Sequence, residues 1–262
     1  HARAFRAKPA QRSFRSDGKT APQREVPRSW RLALLLARAA PTWVHPSRHA
    51  SALRAIGRGA DCLLLDDALQ HHALHKDVSF LVIDTAYGLG NGQVFPAGPL
   101  REPLEFALDR TSAIVALGPD PLRVHLPQIK PVFRALLKPS PLWDTLKGKP
   151  VIAFAGLARP EKFFTMCERA GMKLLRSYPF PDHHPYTRLE LSRLIDHAAE
   201  REATLVTTEK DYVKLAPEDR ARVTALPVSI MWQDEPALQQ FLADRLDAAH
   251  ERIATTHPSL PS

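Results

Sequence analysis

Apolar residues along this chain gather into short unbroken runs, each about the length of one strand and bounded by charge or glycine. Cys62-Leu63-Leu64-Leu65 ends on the carboxylates Asp66 and Asp67. Phe80-Leu81-Val82-Ile83 ends on Asp84, and Ala113 to Leu117 is apolar throughout. Further strands are predicted over Val151–Gly156, Lys173–Phe180 and Thr204–Thr208. Runs without polar alternation predict buried parallel strands. Between them the pattern turns helical. Leu32 to Ala39 reads as a buried helix, Pro41 to Val44 as a short strand, and Ser47 as the cap of a helix ending near Gly57. Pro160 suits a first helical position, with Phe163, Phe164 and Cys167 as the apolar face and Gly171 as the stop. Thr187 and Glu190 have capping-box spacing ahead of Leu191, Leu194, Ile195 and Ala198. Asp234 and Pro236 open a last helix that turns Leu238, Phe241, Leu242 and Leu246 inward. Strands alternating with helices predict an α/β fold with right-handed crossovers. Residues 119–150 are rich in proline and are read as a domain junction. The predicted organisation is a tail over 1–31, a first domain over 32–149, a smaller α/β domain over 150–250 and a loose tail over 251–262.

Composition changes this picture in one place. The chain has 262 residues and a formal charge of +8. Residues 1–31 hold nine Lys or Arg against two acids, so +7 of that charge sits in the tail. The tail has no periodicity and reads as disordered. The remaining 231 residues carry 27 basic and 26 acidic side chains, which excludes a basic nucleic-acid-binding body. Cys62 and Cys167 lie in apolar context and read as reduced core residues. No run is long enough for a membrane span and no signal peptide is seen, so a cytoplasmic setting is expected.

The candidate chemistry lies at strand ends. Asp66 and Asp67 follow an apolar run, where open α/β sheets bind ligands. They suit Mg²⁺ as hard oxygen ligands, or else one caps the next helix while the other is solvated. Gln70, His71 and His72 follow within reach of the same place. Gly88 to Gly92 lets a backbone approach a ligand or simply turns the chain. Arg101 suits phosphate, with Glu102 to orient it or hold a metal's water shell; the alternative is a surface ion pair between prolines. Asp182-His183 lies in a proline-bracketed loop, and His183 is either a catalytic partner or a structural loop residue bonded to Asp182. Lys210, in Thr208-Glu209-Lys210-Asp211, either meets phosphate or forms a surface ion pair.

Several of these stretches together resemble one family. Asp66 to Asp84, Gly88 to Leu104, Ala153 to Phe164, Phe180 to Tyr186 and Thr207 to Asp211 resemble, in the right order, the tetraacyldisaccharide 4'-kinases of lipid A biosynthesis. The resemblance covers about Leu34 to Leu246. It implies a P-loop-type parallel sheet and transfer of the γ-phosphate of ATP to the 4'-hydroxyl of a tetraacyl disaccharide 1-phosphate, with Mg²⁺. It also implies work at the inner-membrane surface of a Gram-negative bacterium and no nucleic-acid partner. Metal binding falls to Asp66 and Asp67, cofactor binding to Gln70, Arg101, Glu102 and Lys210, and catalysis to His183 with Asp67, all in one shared site. Ala68 stands where a glycine is usual.

The resemblance stops near residue 32. The Gly-Asp-Glu segment of the family, whose Asp is the expected base, falls on Trp30, Arg31 and Leu32. Ser16-Asp17-Gly18-Lys19-Thr20 looks like the end of a phosphate loop, but Ser13 stands where its first glycine is needed and no strand precedes it. The sheet is therefore expected to be incomplete at its N-terminal side and the chain itself inactive. The arginine-rich tail reads as out-of-frame translation ahead of an intact segment, which the upstream reading frames decide. The alternative reading is a non-catalytic remnant that binds lipid phosphate or a partner.

Overall fold

The computed structural model describes residues 2–5, 33–122, 130–182 and 184–256. In chain order the elements are β1 (Ala2–Phe5), α1 (Ala33–Ala37), β2 (Thr42–Trp43), α2 (Arg48–Ile56), β3 (Cys62–Leu65), β4 (Phe80–Asp84), α3 (Leu104–Asp109), β5 (Ala113–Leu117) and β6 (Val132–Pro139). A 3-10 turn, Pro141–Leu146, leads to β7 (Pro150–Gly156), α4 (Pro160–Arg169), β8 (Lys173–Phe180), α5 (Arg188–Glu200) and β9 (Thr204–Thr208). Then come α6 (Glu209–Tyr212), α7 (Pro217–Arg220), β10 (Thr224–Leu226), β11 (Val228–Trp232) and α8 (Glu235–Thr256). The chain separates into two compact units, His1–Asp66 with Pro139–Ser229, and Asp67–Lys138 with Ile230–Ser262. Each is made of two stretches of chain, where composition had suggested contiguous segments.

The first unit is organised by a four-stranded, all-parallel sheet in the order β10-β9-β7-β8. Its strands read as continuous apolar runs because both faces are covered. Val151, Ala153 and Ala155 pack with Phe163, Phe164 and Cys167 of α4, Trp143 and Leu146. Ile152 and Phe154 pack on the other face with Leu191, Leu194, Ile195 and Ala198 of α5. The expected stop is in place: Gly171 has φ +80. Cys167 is fully buried, and burial, then the neighbouring Glu168 charge, pushes its thiol up to about 12. It is an inert core residue.

The same unit holds a smaller sheet, order β2-β1-β3. Here the structure corrects the sequence reading. Cys62–Leu65 pairs antiparallel with Ala2–Phe5, from Ala2↔Leu65 to Phe5↔Cys62, and β2 is antiparallel on the other side. A run of four apolar residues says nothing about strand direction. Leu64 is 43% exposed, so β3 is not buried on both faces as a central parallel strand would be. Four residues of the expected tail thus form a strand. The rest of residues 1–31, with the Gly18-Lys19-Thr20 motif and Trp30-Arg31, lies outside the described residues.

The second unit carries a sheet in the order β11-β6-β5-β4, with β4, β5 and β6 parallel. On one face Phe80 and Phe133 meet Phe241 of α8, with ring centroids 5.3–6.5 Å apart. On the other, Ile83 and Ile114 pack with Leu108 of α3. The α/β expectation holds. Strand β6, however, lies inside the proline-rich stretch that was read as a junction, and α8 continues to Thr256, into the stretch expected as a loose tail. Among the described residues no helix is long and apolar enough to cross a membrane.

Candidate functional site

The second unit gathers most of the sequence-nominated polar residues. The chain leaves β3 through Asp66 and Asp67, both exposed. Asp67 has φ +50, a left-handed conformation that aspartate tolerates better than most residues. The usual family glycine falls one position later, at Ala68, which is buried and is not among the residues with positive φ. Alanine therefore fits there without backbone strain. His71 N–H donates to the Ala68 carbonyl (3.0 Å), closing the turn. Lys76 Nζ donates to the His71 carbonyl (2.6 Å) and clamps the segment; burial, then the nearby Arg110 charge, holds its ammonium below the usual range.

The loop after β4 brings Arg101 and Glu102 to this segment. Gly98 is sterically required, since a Cβ there would lie 2.2 Å from Asn91 Oδ1 and 2.4 Å from the Gln93 carbonyl. Asn91 in turn donates to the Ala97 carbonyl (2.8 Å) and accepts from Gln93 N–H (3.1 Å). Gly88, Gly90 and Gly92 all have positive φ and turn this loop.

Arg101 and Glu102 do not pair with each other. Arg101 Nη1 donates to both Asp67 oxygens (2.8 and 3.0 Å), and both side chains are more than 60% exposed. Such a pair adds only about 0–1 kcal/mol, so a phosphate can draw Arg101 away at little cost. Glu102 is far less accessible. It accepts from Gln70 Nε2 (2.9 Å) and, through its other oxygen, from Arg110 Nη2. Burial pushes the Glu102 carboxyl up, but the bonds from Arg110 and Gln70 and the charges of Arg110 and His72 outweigh it and hold it below the usual range. Arg110 and Lys76 were missed from sequence. The available signal was an acid and a base, Glu102 and Arg110, eight positions apart across a short helix.

Among the described residues, no group of three or more His, Cys, Asp or Glu side chains forms a ready cation site. Asp66 and Asp67 alone suit Mg²⁺, which keeps most of its waters and is held by one or two carboxylates plus substrate phosphates.

A second polar cluster lies in the first unit, at the C-terminal ends of β7 and β9. Lys210 Nζ donates to Asp182 Oδ1 (2.8 Å), the ion-pair alternative that the sequence left open. His183 lies outside the described residues. The neighbour that sequence reasoning passed over, Asp211, is fully buried. Its carboxylate accepts from Gly156 N–H (2.9 Å), Thr208 Oγ1 (2.8 Å) and Lys214 Nζ (2.6 Å). A Cβ on Gly156 would lie 2.9 Å from Tyr186 Oη and 3.1 Å from Asp211 Oδ1, so this close approach needs glycine. Burial, then the Asp211 charge, pushes the Tyr186 hydroxyl up, so it stays protonated.

Thr187 and Glu190 form the capping box expected from their spacing. Glu190 N–H donates to Thr187 Oγ1 (3.2 Å), and Thr187 N–H donates to Glu190 Oε2 (2.8 Å). His184 Nε2 lies 3.1 Å from both Glu190 oxygens. The backbone and hydroxyl bonds from Thr187, then the bond from His184, pull the Glu190 carboxyl down to about 2. Because the folded value is depressed, this cap stabilises α5 above the ordinary carboxylate range and is lost as pH falls toward 2. Thr187→Ala is expected to lower stability by about 0.5–2 kcal/mol at neutral pH, with a smaller deficit near pH 2. Urea titrations at the two pH values measure it, and an equal deficit at both would mean that the Glu190 carboxylate contributes nothing to the cap.

Comparisons with known proteins point one way. The family model for tetraacyldisaccharide-1-P 4'-kinase matches residues 32–247. The tetraacyldisaccharide 4'-kinase of Gluconobacter oxydans is 47% identical over 212 residues, 80% of this chain and 64% of that protein. The Paramagnetospirillum magneticum enzyme is 45% identical, over 82% of this chain and 66% of its own length. A crystal structure of LpxK from Aquifex aeolicus in complex with ATP aligns with a TM-score of 0.57 at 27% identity, covering 76% of this chain and 62% of that one. The chain spans just under two thirds of the length of these curated relatives. Residues 32–247, which carry both polar clusters, place the chain in the tetraacyldisaccharide 4'-kinase family.

Proposed function

We propose that this chain carries the acceptor-side and metal-side parts of an ATP-dependent lipid kinase. The reaction is transfer of the γ-phosphate of ATP to the 4'-hydroxyl of a tetraacyl disaccharide 1-phosphate, on a P-loop-type sheet at the cytoplasmic face of the inner membrane. The observation that carries this reading is the 32–247 family match, with two hydrogen-bonded pairs, Asp67 with Arg101 and Gln70 with Glu102, tying the turn after β3 to the loop after β4. ATP is the ligand in the Aquifex aeolicus neighbour.

Each residue has a task within the reading. Asp66 and Asp67 hold Mg²⁺ through oxygen, and the cation supplies charge neutralisation at the phosphates. Arg101, loosely held by Asp67, turns to a phosphate oxygen. Lys210 leaves Asp182 for a phosphate in the same way. His183 and an aspartate make the acceptor hydroxyl more nucleophilic.

The test is a fusion. An N-terminal part of the Gluconobacter oxydans relative is joined ahead of residue 32, and transfer of labelled phosphate from ATP to the disaccharide lipid is followed. Turnover within about tenfold of the relative, roughly 1.4 kcal/mol of barrier, is expected. A folded fusion with no transfer would favour the non-catalytic lipid-phosphate-binding remnant.

A further inference from the structure

Glu102 is not a free ligand. Both of its oxygens are committed within the chain, one to Arg110 Nη2 and one to Gln70 Nε2 (2.9 Å). Its side chain is 17% exposed, and that of Arg110 27%. The Arg110 Nε is buried without a hydrogen-bond partner. Leaving such a donor unsatisfied is unfavourable. The fold therefore holds this guanidinium for Glu102 at the expense of its own hydrogen bonding.

The chemistry then runs outward. A carboxylate only accepts hydrogen bonds, so the Gln70 side chain must present its –NH₂ to Glu102. That commits the –NH₂ to Glu102 and leaves the Gln70 carbonyl oxygen for another donor, on an exposed residue three positions after Asp67. We propose that Arg110 is a positioning residue: acting through Glu102, it orients the Gln70 carbonyl as an oxygen acceptor for the hydrated divalent cation at Asp66–Asp67. This rests on the cation assignment above.

The experiment uses the whole 262-residue chain and nuclear magnetic resonance, with Mn²⁺ as the probe. In the wild type, the Gln70 side-chain –NH₂ is expected to show one proton shifted downfield and slow to exchange. Mn²⁺ is expected to broaden Gln70 and Asp67 signals. Arg110→Met should move the Gln70 –NH₂ pair to free-amide positions. It should also raise the Mn²⁺ concentration at half-broadening by about tenfold, the lower end of the usual effect of an outer-sphere partner. Arg110→Lys, which keeps a cationic donor, should restore most of both. Glu102→Gln is a second route if Arg110→Met does not fold; it should loosen Gln70 likewise. An unchanged Gln70 –NH₂ pair in folded Arg110→Met or Glu102→Gln overturns the positioning role. A responsive Gln70 with no Mn²⁺ broadening even in the wild type overturns the cation assignment instead.

Discussion

The 262-residue chain, purified as it stands, is expected to transfer no measurable phosphate from ATP to a tetraacyl disaccharide 1-phosphate. Phosphoryl transfer depends on backbone N–H donors and a lysine around the β- and γ-phosphates, and on a base at the acceptor hydroxyl. The sequence ahead of Leu34 supplies neither. Ser13 replaces the first glycine that Gly18-Lys19-Thr20 would need, and Trp30, Arg31 and Leu32 stand where a carboxylate is expected. Loss of one preorganised donor costs about 10²–10³ in rate. Loss of a whole cradle and the base removes turnover, although such losses do not add. The assay is labelled-phosphate transfer beside an intact relative. A rate within about tenfold of that relative would show that residues 1–31 do the work of a phosphate loop.

The second large effect is on stability. Asp211→Ala is expected to destabilise the unit that holds β7 and β9 by about 3–5 kcal/mol. Asp211 is completely buried and takes three donors, so its removal deprives the Gly156 N–H, the Thr208 hydroxyl and the Lys214 ammonium, the last only 10% exposed, of one hydrogen bond each. For a chain of this size that corresponds to a fall in Tm of roughly 6–20 °C. Asp211→Ala with Lys214→Met should recover part of it, because the ammonium that has lost the Asp211 carboxylate is removed as well. Thermal unfolding followed by circular dichroism reads both. A fall below about 2 °C for the single substitution would mean that the Asp211 carboxylate is not what holds Gly156 against α6.

The sheets were legible where burial leaves a continuous apolar run. Pro150–Gly156 and Thr204–Thr208 are covered on both faces, so their sequences admit no other reading. Caps were legible because they are local: Ser47 and Thr187 accept bonds from backbone N–H groups three residues on. Strand β6 was hidden by Pro131 before it, Pro139 at its end and Pro141 beyond, none of which falls within its ladder to β5. The partner of β3 was not legible, because a strand edge pairs with whatever extended backbone reaches it.

The site follows the same rule. Asp66, Asp67, Arg101 and Glu102 could be nominated from strand-end position and from resemblance. Their pairing could not, because Asp67 with Arg101 and Gln70 with Glu102 are contacts across more than thirty residues. The neighbouring acid and base in Arg101-Glu102 suggested a local ion pair, whereas the loop built on Gly98 sends them to different partners. Lys210 was nominated either to meet phosphate or to form a surface ion pair, while Asp211 next to it carries the buried hydrogen bonds.

The claim that Asp67, Gln70, Arg101 and Glu102 belong to the working site is tested most directly in the fusion protein by replacing Asp67 with Asn. This change keeps the shape of the side chain and an acceptor oxygen, and asparagine also tolerates the left-handed backbone at this position. The measurement is labelled-phosphate transfer to the disaccharide lipid at saturating ATP, with Tm recorded on the same sample. The account predicts a fall of about 10²–10³ in rate with an almost unchanged Tm. A rate within about tenfold of the unsubstituted fusion would contradict it.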